Sequence, residues 1–88
     1  MDKKYWVQIF KILIPKLTKD NQLNISGFLL TPSQVIEIFE ELGYDYEQLD
    51  ANGWEQDTWY YLMKEDCPTI IFNYGGYYGD KWLSLNDD

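Results

Sequence analysis

The sequence predicts an α+β fold in which two N-terminal helices pack on one face of a three- to four-stranded antiparallel sheet. Three observations carry that expectation. Apolar residues recur every three to four positions near the N-terminus, a complete helix-start signature stands at Thr31, and beyond Tyr44 the apolar period falls towards two, with turn signals at Asn52-Gly53 and Gly75-Gly76. The 88 residues fit a single domain, 1–88. A chain of this length buries only about 60–65% of its unfolded surface. The 18% share of Phe, Trp and Tyr offsets that by supplying large apolar area per residue.

Trp6, Ile9, Phe10, Leu13, Ile14 and Leu17 form one face of the first helix, and Lys4, Gln8 and Lys11 lie opposite. Pro15 lacks an N–H and clashes with the preceding turn, so the helix should end or kink just before it. Thr18 to Asn24 read as a polar loop, and Ile25 to Leu30 as a short strand or an extended lead into the next element. The second helix starts at Thr31: a good N-cap, followed by Pro32 at the first helical position and Gln34 to complete a capping box. Val35, Ile36, Phe39 and Leu42 make its apolar stripe, Glu37, Glu40 and Glu41 face away, and Gly43 stands where a left-handed C-cap is wanted. Thr58 to Met63 and Thr69 to Tyr74 have the aromatic and β-branched content of strands, with a last strand over Tyr77 to Leu85. A two-residue turn at Gly75-Gly76 and a turn at Tyr78-Gly79-Asp80 imply different registers for it, and the sequence does not choose between them.

The residues that are missing constrain chemistry as much as those present. Histidine is absent, which removes Ser–His and Cys–His catalysis and histidine metal sites. Arginine is absent too, and with it the bidentate fork that clamps phosphate or carboxylate substrates. Cys67 is the only cysteine, so neither an internal disulfide nor a cysteine zinc site can form. Its neighbour Asp66 disfavours the thiolate, and a small buried or half-buried thiol beside a turn is the expected role. The stretch from Asp45 to Gly53 glances at a calcium loop, but the sixth residue is Asp50 where glycine is required. Gly75 to Gly79 is glycine-rich without the Lys-Ser or Lys-Thr of a phosphate loop. Together these point to no enzyme, no cofactor and no dedicated metal site.

Net charge is −8, unevenly spread. Residues 1–19 hold five lysines against Asp2, a net +4, whereas residues 37–66 hold ten carboxylates against Lys64, a net −9. Such a surface repels phosphate backbones and attracts basic protein surfaces. The expected partner is therefore a larger protein with a basic surface, itself a nucleic-acid-binding protein, with no direct nucleic acid and no membrane contact. The apolar N-terminal run is broken by Gln8, Lys11 and Pro15, unlike a signal or spanning segment, and a cytoplasmic location is expected.

The candidate partner-binding residues are Glu37, Glu40, Glu41, Asp45, Glu47, Asp50, Glu55 and Asp57, with Trp54, Tyr77 and Tyr78 as aromatic contacts. Trp54, Trp59, Tyr60 and Tyr61 alternate through the acidic segment, and a small sheet cannot bury aromatics on both faces. In size and charge the chain is similar to phage-encoded inhibitors of host defence, such as anti-CRISPR proteins and the inhibitors of uracil-DNA glycosylase; the resemblance covers composition, not motif. It implies an inhibitor whose carboxylates stand in for phosphates. An immunity or antitoxin protein facing a basic toxin shares these electrostatics, and a structural or regulatory phage subunit is a third reading. Heavy use of Lys, Asn, Ile and Tyr without Arg fits an AT-rich phage or mobile-element gene.

Overall fold

The computed structural model describes residues 1–50, 58–75 and 79–86, with Asp50 described by its backbone alone. Its element order is α1 (Lys3–Leu13), β1 (Gln22–Asn24), α2 (Pro32–Glu41), β2 (Asp45–Asp50), β3 (Thr58–Met63), β4 (Ile70–Tyr74) and β5 (Lys81–Leu85). The strands form one antiparallel sheet in the order β1-β5-β4-β3-β2. The fold is α+β with two N-terminal helices, as the sequence predicts, but the sheet has five strands rather than three or four.

α1 is capped by the Asp2 carboxylate, which accepts from the Tyr5 N–H at 3.2 Å. It gives way at Pro15 to a single 3-10 turn, Ile14–Lys16. At α2 the Thr31 hydroxyl accepts from the Gln34 N–H at 3.2 Å, and the Gln34 side chain accepts from the Thr31 N–H at 2.9 Å. Gly43, with φ +91°, then turns the chain out of the helix. α2 buries Val35, Ile36, Ile38 and Phe39, and α1 buries Val7 and Phe10. Val7 and Ile38 widen the apolar stripes beyond the sequence reading.

These helix faces pack on Leu62, Ile70, Phe72 and Leu83 of the sheet. Phe10 and Phe39 meet edge to face at 5.5 Å, and Tyr60 stacks on Phe72 at 5.5 Å. Phe10, Phe39 and Phe72 are fully buried; each contributes about 1.5–3 kcal/mol by leaving water.

Several sequence expectations need correcting. The polar loop ends early: Asn21 accepts from the Thr18 N–H at 2.8 Å and donates to the Lys16 carbonyl at 2.9 Å, a clamp that aims Gln22–Asn24 at the edge of β5. The Ile25–Leu30 stretch is no strand. It forms a 3-10 turn, Ser26–Phe28, that ends on Leu29 in the left-handed region at φ 58°, and Ser26 Oγ ties it to β5 by accepting from the Lys81 N–H at 2.8 Å. The last strand begins at Lys81, and the described Gly79 and Asp80 before it are not in the sheet. Tyr74 pairs with Lys81 and Phe72 with Leu83, a register that neither proposed turn gives, because Gly75 donates to the Asp80 carbonyl at 2.8 Å and so closes a longer connection. Cys67 is exposed rather than buried or half-buried, since it ends a tight turn in which its N–H donates to the Lys64 carbonyl. The turn expected at Asn52-Gly53 lies outside the described residues.

Candidate functional site

Register divides the sheet into two faces. Tyr60, Leu62, Ile70, Phe72 and Leu83 point at the helices, so their alternates point the other way. On that outer face Leu49, Trp59, Asn73 and Trp82 stand in one row across four strands, and Glu47, Tyr61, Ile71 and Ser84 in the next; Asp45 and Met63 begin a third. None of these residues belongs to the core or to the partly buried side chains packed against it. Leu49 is 40% and Trp59 39% exposed, and Tyr61, Met63, Ile71 and Trp82 are half-buried. Among the described residues no helix covers this face.

β2 is an edge strand, and its Asp45 and Glu47 carboxylates rim the open face. The other acidic residues sort by element. Glu37 and Glu40 project from α2 into a groove of about 240 Å³ whose far wall is Tyr46, Gln48 and Tyr60 on the helix side of the sheet. Glu41 turns towards α1, where the Lys3 ammonium lies 3.9 Å away. This is the only ion pair among the described residues, and an exposed pair of this kind is worth about 0–1 kcal/mol. Lys64, the lysine within the acidic segment, donates to the Leu42 carbonyl at 2.8 Å and lies over the Tyr44 ring. It therefore caps the C-terminus of α2.

The structure thus brings Glu37 and Glu40 together, and separately Asp45 and Glu47, with the edge strand between the two pairs. It does not bring Glu41 to either. Asp50 closes β2 opposite Thr58 in the backbone register. Trp54, Glu55, Asp57, Tyr77 and Tyr78 lie outside the described residues. Sequence reasoning missed Leu49, Met63, Ile71 and Trp82 as site residues. The signal was the alternation within Thr58–Met63, which assigns Trp59 and Tyr61 to one face and Tyr60 and Leu62 to the other once the strand is accepted.

Among the described groups, the Tyr44 phenol has a displaced pKa. Burial raises it above 10.0, and the negative charge of the nearby Cys67 thiolate adds to the rise. Among the described residues no three His, Cys, Asp or Glu side chains gather as a metal site, and no helix is long and apolar enough to cross a membrane. Comparison with protein families, with curated proteins and with solved structures finds no match.

Proposed function

We propose that the protein is a small acidic inhibitor that binds a larger protein and occludes a basic site which otherwise holds nucleic-acid phosphates. The observation that carries this reading is that the Asp45 and Glu47 carboxylates stand at the edge of an aromatic sheet face that no helix covers among the described residues. Asp45 and Glu47 make no ion pair among the described residues; on the outer face Asp45 stands opposite Met63 and Glu47 opposite Tyr61, one row from Leu49 and Trp59. Charges on an edge strand also prevent strand-to-strand aggregation. That role explains carboxylates on β2, but it asks for no exposed tryptophan beside them. Aromatic anchors with a charged rim are the composition of a protein interface. Asp45, Glu47, Glu37 and Glu40 then steer a basic partner towards this edge through the long-range field of the acidic segment.

Competition tests the reading. A fluorescent DNA duplex is bound to each of a panel of purified DNA-binding proteins and challenged with the chain. The expected outcome is release of the duplex from at least one of them, weakened roughly tenfold by the double reversal Asp45→Lys with Glu47→Lys. Release that the reversal leaves unchanged contradicts the reading, as does a panel from which nothing is released.

A further inference from the structure

We infer that the partner seats an amphipathic segment, an apolar stripe flanked by lysine or arginine, on the open face of the sheet over Trp59, Tyr61, Ile71 and Trp82. The inference rests on the acidic-inhibitor reading above and specifies how capture occurs.

Among the described residues the helices cover one side of the sheet only. α1 and α2 bury the face that carries Leu62, Phe72 and Leu83, and the opposite face holds an apolar band with no layer over it among the described residues. Sheets in small domains bury both faces or turn a polar one to water, and this outer face, polar at its two edges, carries Trp59, Tyr61, Ile71 and Trp82 across its centre. Asn73 and Ser84 interrupt it, but Trp59, Tyr61, Ile71 and Trp82 surround them in adjacent rows. Trp and Tyr contribute large rigid contact area with little loss of rotamer freedom, which makes them efficient anchors.

Charge fixes the chemistry of the occupant. The carboxylate edge formed by Asp45 and Glu47 runs along one side of the band, and the amides of Gln22 and Asn24 mark the other. An apolar segment carrying cations on the β2 side satisfies both features at once. A second copy of this chain meets the same carboxylates with its own and carries −8 of net charge, so self-packing of two open faces is opposed. Among the described residues, the lysines of α1 with exposed Tyr5 and Ile12 are the surface of a second copy that would suit the band, and the test below includes that outcome.

The isotope-labelled full chain is titrated with three synthetic helical peptides: a Leu/Lys amphipath, its Leu/Glu counterpart, and a Lys/Ser peptide with the same charge and no apolar stripe. The Leu/Lys peptide is expected to shift the indole resonances of Trp59 and Trp82. Trp59→Thr with Ile71→Thr is expected to weaken it by roughly tenfold or more, the scale of losing interface anchors, while thermal unfolding shows the fold retained. Equal binding of the Lys/Ser peptide overturns the open-face inference and leaves acidic capture standing. Equal binding of the Leu/Glu peptide removes the charge argument and with it the inhibitor reading. Shifts confined to α1 or α2 overturn the inference, as does a dimer in light scattering of the free chain with the same indoles perturbed. Binding by none of the peptides overturns it as well.

Discussion

Tyr44 sits where the chain leaves α2 for β2, immediately after the left-handed Gly43. Its N–H donates to the Phe39 carbonyl at 2.9 Å, its ring meets Phe39 edge to face at 5.2 Å, and the Lys64 ammonium lies 5.5 Å from its centroid. Because the side chain is buried, the phenolate is disfavoured and the folded pKa stands above 10.0. For an acid whose pKa is raised on folding, the native state holds its proton more tightly. The associated stability is fully present below the unfolded pKa and is lost as pH rises through the folded one, at up to about 1.4 kcal/mol per pH unit between the two. Urea unfolding followed above pH 10 should therefore weaken with pH in the wild type and less steeply in Tyr44→Phe. Equal slopes for both proteins would show that burial of this phenol has no linkage to folding. Lys64, from just after β3, joins the same corner by capping α2.

The capping box of α2 is the strongest element-level feature, and it gives a direct prediction. Thr31→Ala removes the acceptor for the Gln34 N–H and should cost about 1 kcal/mol. Thr31→Ser keeps the oxygen and should cost markedly less. Chemical denaturation of both variants checks this, and equal losses would show that the Thr31 methyl, not the cap, is responsible. α2 was legible in the sequence because Thr31, Pro32, Gln34 and Gly43 all act within one element. β1 was not, because its only core-facing residue is Leu23 and its strand identity is imposed by β5 at the far end of the chain. β2 was hidden differently. Its outer positions are Asp45, Glu47 and Leu49 and its inner ones begin with Tyr46 and Gln48, so no apolar alternation marks it. The same reason explains the candidate site. That Glu37, Glu40, Asp45 and Glu47 are exposed could be read from the sequence. That the strand stands between the two pairs, and that Glu41 turns to Lys3, depends on pairing and packing between distant segments. The open aromatic band follows likewise from a register that no local signal specifies.

Over the whole molecule, charge and hydrophobicity are sorted in parallel. The lysine-bearing α1 lies on the covered side of the sheet, with its link to the acidic segment limited to Lys3 and Glu41. The remaining described carboxylates of α2 and β2 flank the edge at which the aromatic face begins. In this arrangement carboxylates govern how fast a basic partner arrives, and aromatics govern how long it stays. Charge steering of this kind reaches about 8 Å at physiological ionic strength and shortens as salt is added. The most direct test is stopped-flow association of the chain with the Leu/Lys peptide across a salt series, alongside Asp45→Lys with Glu47→Lys. The expected result is a rate that falls steeply with salt for the wild type and is slower and nearly flat for the variant, with thermal unfolding of the two alike. A wild-type rate indifferent to salt, or identical slopes for both proteins, would contradict capture by the carboxylate edge.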